Sequence, residues 1–137
     1  QSTFLTYISA VEELLIKIAI QDHEYKKRDS SDFDKCIQLL FKDSPDKIYF
    51  DILRILRNNI AHSNCFEKHI GKVKTESLVF ECNEQFPSIK FREENIEIYK
   101  GECKDSKIKD EVIIEYSFLK EVHQKLKSPC IELVKNT

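Results

Sequence analysis

The sequence has 137 residues, of which 41% are hydrophobic and 34% are charged, and its formal net charge is −2. This length predicts one domain spanning residues 1–137, with enough apolar side chains to exclude a disordered chain. The slightly negative charge excludes a global basic field that would attract nucleic acid. With only two glycines and three prolines, the chain has few helix breakers, which favours long helices.

The longest apolar run, from Leu14 to Ile20, contains Lys17 and is too short to span a bilayer. The sequence shows no signal-peptide pattern and no lipidation motif, so we predict a cytoplasmic protein with no membrane partner. Its five cysteines are scattered without a C-x-x-C pair, which is usual for reduced thiols. We therefore predict no structural metal and no cofactor.

Apolar residues at helical spacing predict three helices in the first half of the chain. The first runs from Ser2 to about Glu24, and the second from Asp32 to Phe41. The third runs from Asp46 to Asn64, behind Ser44 as its predicted N-cap. Its apolar residues fill one broad arc, so this helix should bury one side and leave a polar stripe on the other.

The character of the sequence changes after the third helix. Short stretches with alternating apolar residues predict two or three short strands, a hairpin or small meander inserted at about residues 78–115. The stretches are Leu78–Cys82, Ile89–Phe91, Ile96–Tyr99 and Val112–Glu115. Turn formers separate them, most clearly at Gly101–Lys107.

A last helix is predicted over Ser117–Lys127, and Pro129 should kink or end it. Residues Ile131–Val134 are predicted to continue as a further turn. The predicted fold class is therefore mainly α, an up-and-down helical bundle with a small β insertion.

The third helix carries the residues with the clearest chemical meaning. Arg57, Asn58 and His62 stand in the sequence R-N-N-I-A-H near its end. Arg54, Asn58 and His62 recur every four residues and form one polar stripe. Histidine suits proton transfer near neutral pH, and arginine offers a planar, permanently charged fork for phosphate oxygens. Asn58 can orient the imidazole or the substrate, and Arg54 is a candidate second phosphate ligand.

This spacing, with asparagine directly after the arginine, resembles the R-x4-H signature of the HEPN superfamily. The resemblance implies a small α-helical domain with metal-independent endoribonuclease activity in prokaryotic antiviral defence or toxin–antitoxin systems. It implies Arg57, His62 and Asn58 as catalytic residues and RNA as the substrate, and Arg54 on the polar stripe would then be a substrate-binding residue. An antitoxin or a fused sensor domain would be a further partner.

The resemblance also implies a homodimer in which the two motifs face each other across a cleft. One histidine is too few for both a general acid and a general base, whereas a composite site carries two. Cleavage of this type leaves a 2′,3′-cyclic phosphate and a 5′-hydroxyl.

Other interpretations of the same residues stay open. A histidine at a helix C-terminus is favourable through the helix dipole alone, and Arg57 could simply pair with Asp51 or Glu67. The chain would then be a non-catalytic helical dimerisation or adaptor module of a larger defence or sensor protein. A nucleotide-binding module that uses the same groove is a third interpretation.

Overall fold

The computed structural model of the chain describes residues 2–26, 32–62, 69–70, 73–74 and 81–136. Within these ranges, side chains are described except those of residues 2, 59, 61–62, 69–70, 73–74, 94–100 and 104–110. The first part contains helices α1 (Ser2–His23), α2 (Asp32–Leu40) and α3 (Lys47–His62), followed by strands β1 (His69–Ile70) and β2 (Val73–Lys74). Residues 81–85 are helical and form α4. Strands β3 (Lys90–Lys100) and β4 (Cys103–Ile113) and helix α5 (Tyr116–Lys135) complete the order.

The predicted mainly α fold with an inserted β-hairpin is confirmed. Helix α1 packs against α2 and α3, and α3 also contacts α5. The third helix is predicted to start at Asp46 and starts at Lys47. Just before it, Ser44 Oγ accepts a hydrogen bond from the Asp46 amide at 3.1 Å. This bond satisfies one amide at the entrance of α3, as an N-cap does.

Aromatic and aliphatic side chains from the helices share one core. Phe118 on α5 lies between Phe4 on α1 and Phe86 after α4, with ring centroids 5.7 and 5.8 Å away. Phe50 on α3 is also buried, and its ring stacks on that of Phe41 with centroids 4.2 Å apart. The largest fully buried side chains are Phe4, Phe33, Phe50, Phe86, Phe118, Ile8, Leu15, Ile37, Ile52, Leu53 and Leu56. None of the described helices combines the length and the hydropathy needed to cross a membrane.

The inserted hairpin is longer than predicted. Strands β3 and β4 pair antiparallel over their whole length, from Lys90 opposite Ile113 to Lys100 opposite Cys103. The predicted turn at Gly101–Lys107 is wrong beyond Glu102, because the chain reverses at Gly101, where φ is 64°. Glycine adopts this positive φ without a steric penalty. Charged residues interrupt the apolar alternation along both strands, so the pattern underestimates their length.

Two further predictions in the second half of the chain need correction. The predicted strand Leu78–Cys82 is wrong at its end, because residues 81–82 belong to helix α4, and its earlier residues lie outside the described part. The last helix does not end near Lys127 but continues through Pro129 to Lys135, so the predicted further turn at Ile131–Val134 is helical and belongs to the same helix. Proline in a helix removes one hydrogen bond, but the Pro129 ring is buried, and this packing offsets part of that loss.

The cysteines differ in burial, and this difference predicts their reactivity. Burial raises the pKa of the Cys82 thiol to about 12, and burial with the Asp32 carboxylate raises that of Cys36 to about 11. At pH 8 a thiol with a pKa of 11 is deprotonated in only about one molecule in a thousand, and the thiolate is the nucleophile. Cys103 is exposed at the hairpin turn. We expect brief iodoacetamide treatment at pH 8 to label Cys103 but not Cys36 or Cys82.

Peptide mass spectrometry would locate the label, and the same treatment in urea provides the control in which all three thiols react. Labelling of Cys82 in the folded protein at the rate of Cys103 would contradict the burial described for it.

Candidate functional site around Arg57

Arg57 is held by side chains from three helices. On α3 itself, Asn58 Oδ1 accepts hydrogen bonds from Arg57 Nε at 3.2 Å and from Nη2 at 3.0 Å. Arg57 Nη1 donates to Glu12 Oε2 on α1, and the two side chains form an ion pair. The guanidinium carbon also lies 4.9 Å from the centre of the Phe33 ring on α2. We call Arg57, Asn58, Glu12 and Phe33 the arginine cluster.

The contacts in the arginine cluster are strong enough to keep Arg57 in one place. Charge-assisted hydrogen bonds contribute about 1.5–3 kcal/mol, and a cation–π contact contributes about 0.5–2 kcal/mol. Fixing an arginine side chain costs about 2 kcal/mol of rotamer entropy, so the contacts match or exceed this cost. Arg57 is therefore preorganised before any ligand arrives.

The cluster is half-buried, which strengthens its electrostatics. The exposed fractions of the Arg57 and Glu12 side chains are only 18% and 24%. Burial lowers the pKa of the Arg57 guanidinium, but its ordinary value is so high that the group stays positively charged at neutral pH. Its charge is matched by the Glu12 carboxylate, so the pair together has no net charge.

Arg57 still has the capacity to bind one anion. A guanidinium has five N–H donors, and three of them point at Asn58 and Glu12. Five minus three leaves two N–H groups without a partner in the contacts that the structure describes, one on each terminal nitrogen. A phosphate oxygen, or a pair of them, can accept these two hydrogen bonds.

Arg54, the predicted second phosphate ligand, is also placed near a carboxylate. Its Nε lies 3.5 Å from Asp34 Oδ1 on α2, although that nitrogen is buried and makes no hydrogen bond in the described part of the chain. The distance therefore marks a weak, poorly aligned ion pair. Asp34 in turn accepts a hydrogen bond from Gln38 at 3.2 Å. Arg54 and Arg57 thus each face an acidic residue of a neighbouring helix.

His62 is the last residue of α3, and its ring is not among the described side chains. On a helix, positions 57 and 62 are separated by about 140° around the axis and by roughly 7.5 Å along it. Asn58 and His62 are one turn apart. The three predicted catalytic residues therefore lie on one helix, and the structure shows a contact between two of them, Arg57 and Asn58.

Glu12 and Phe33 also belong to the cluster, although the sequence places neither residue near Arg57. The sequence offers Asp51 and Glu67 as partners for Arg57, but Asp51 pairs with Lys47 at 2.7 Å, and Glu67 lies outside the described residues. Glu12 precedes Arg57 by 45 positions. No local pattern links residues so far apart, so only the packing of α1 on α3 could bring this pair together.

Searches for related proteins identify no family to which the chain can be assigned. No family model matches the chain, and no match was found among curated proteins or solved structures. In the described residues, no group of three or more metal-ligating side chains comes together. Fold and site thus define a mainly α protein with an inserted hairpin and a half-buried arginine cluster on its third helix.

Proposed function

We propose that this chain is a HEPN-type, metal-independent endoribonuclease that acts as a cytoplasmic homodimer in prokaryotic antiviral defence or toxin–antitoxin biology. The observation that carries the proposal is that the Arg57 guanidinium is fixed in place and can still bind a phosphate. The side chain is held rigidly beside Asn58 and retains two N–H groups for a phosphate. A preorganised cation at a developing charge is the largest contribution that many enzymes make to catalysis.

In the proposed reaction, Arg57 stabilises the charge on the pentavalent phosphate. His62 takes the proton of the 2′-hydroxyl, and the His62 of a second copy protonates the leaving 5′-oxygen. Asn58 orients Arg57 through its side-chain oxygen, and Arg54 binds a neighbouring phosphate. An antitoxin or a fused sensor domain would control when the two copies act on RNA.

Incubation of the purified protein with labelled single-stranded RNA in EDTA tests the proposal. We expect cleavage that EDTA does not inhibit, with products ending in 2′,3′-cyclic phosphate and 5′-hydroxyl groups. Sedimentation of the same sample should show a dimer. Products with 5′-phosphates, or activity that EDTA abolishes, would contradict this mechanism.

Replacing Arg57 with lysine should lower the cleavage rate about a hundredfold, the size of effect seen when one donor to a transition-state charge is lost. Lysine keeps the charge but lacks the planar fork that binds Asn58 and a phosphate at once. Arg92→Lys is the matched control, because Arg92 is exposed on β3 and pairs with Glu111 on β4. Single-turnover cleavage assays measure both variants. Equal rates for the parent and Arg57→Lys would remove Arg57 from the mechanism.

The same structure also supports a second candidate, a non-catalytic helical dimerisation or adaptor module. The observation that favours it is that Arg57 and Arg54 each face an acidic residue of a neighbouring helix. For arginines paired within one subunit, a purely structural role is sufficient: they lock α1 and α2 onto α3. This candidate predicts a stable dimer with no RNA turnover, which the cleavage assay separates from the first.

A further inference from the structure

Glu12 places a negative charge next to the groups that would bind a phosphate. Its carboxylate accepts a hydrogen bond from Nη1 of Arg57, and one of the two remaining N–H groups lies on that same nitrogen. A phosphate oxygen bound to that nitrogen would lie within roughly 6 Å of the carboxylate oxygen, since each of the two oxygens sits about 3 Å from Nη1. Two anions this close repel each other strongly in a half-buried site.

We infer that Glu12 is an internal competitor for Arg57 and regulates the affinity of this site for RNA phosphates. This inference rests on the proposed ribonuclease function. In the free protein Glu12 neutralises Arg57 and holds it over Phe33. An RNA phosphate must share Arg57 with the carboxylate or displace it. The carboxylate therefore keeps affinity low in a chain that has no excess of positive charge.

The substitution Glu12→Gln separates the charge of Glu12 from its shape. Glutamine has nearly the same size, and its amide oxygen can still accept the hydrogen bond from Arg57 Nη1. Arg57 should therefore stay in place but regain its net charge. The matched control is Glu13→Gln, which removes the same charge from the adjacent, exposed position of α1.

The experiment measures binding of a fluorescein-labelled single-stranded RNA by fluorescence anisotropy at fixed salt. All proteins also carry His62→Ala, so that the probe is not cut. We expect Glu12→Gln to bind about tenfold more tightly than its parent, since removing one close charge changes binding by that order. Glu13→Gln should stay within about twofold, because an exposed charge is screened. Glu12→Ala provides the same comparison should Glu12→Gln not fold.

A double-mutant cycle with Arg57→Ala identifies the residue through which Glu12 acts. The gain from Glu12→Gln should disappear when Arg57 is absent, because the competition is for that side chain. An unchanged or weaker affinity of Glu12→Gln overturns the inference, as does an equal gain in Glu13→Gln. Both results leave the ribonuclease proposal intact if the parent binds RNA through Arg57. If neither the parent nor Glu12→Gln binds RNA, both proposals are overturned.

Discussion

Replacing His62 with alanine is expected to reduce RNA cleavage about a thousandfold, because general acid–base catalysis contributes roughly 10²–10⁴-fold. In the proposed dimer the substitution removes both the base and the acid, since each copy supplies one imidazole. The last residue of α3 can become alanine without loss of helix propensity. The variant should therefore keep the helical circular dichroism spectrum and the dimeric state of the parent.

His23→Ala is the matched control for this experiment. His23 is the last residue of α1 and is exposed, so its loss removes a helix-terminal histidine away from the arginine cluster. Single-turnover assays in EDTA should give the parental rate for this variant. If His62→Ala cuts RNA as fast as the parent, the assignment of the motif as a ribonuclease site is wrong.

The second large effect is expected in the core. Phe118→Ala should lower the free energy of unfolding by about 3–5 kcal/mol, as removal of a fully buried phenylalanine does. Phe118 is completely buried and contacts the rings of Phe4 and Phe86. Its loss leaves a cavity where α1, α5 and the segment after α4 meet.

Urea unfolding followed by circular dichroism measures this effect. With a typical slope of about 2 kcal/mol per molar urea, the midpoint should fall by roughly 2 M. Tyr116→Ala is the matched control, because Tyr116 is an aromatic residue of the same helix with 78% of its surface exposed. Exposed substitutions of this kind change stability by only about 0.5 kcal/mol. Similar midpoints for the two variants would show that the described core is wrong.

The helices of the first half are well predicted because their information is local. Apolar residues every three or four positions specify which face of α1, α2 and α3 is buried, whatever each helix packs against. The hairpin is predicted in place but not in length, because the alternation that marks a strand is interrupted by charged residues along β3 and β4. Helix α5 is predicted too short, because the cost of Pro129 is visible in the sequence and its burial is not.

The candidate site, like the fold, is predictable from the sequence only in part. The sequence by itself determined that Arg57 and Asn58 would be neighbours at the end of a helix with one polar side, because helix geometry follows from local spacing. Only the tertiary structure decided that Glu12 would neutralise Arg57 and that Phe33 would lie beneath it. These partners come from other helices, and their approach depends on how three amphipathic helices share one core. Whether Arg57 is open to a phosphate or already paired is therefore a property of packing, which residue spacing does not encode.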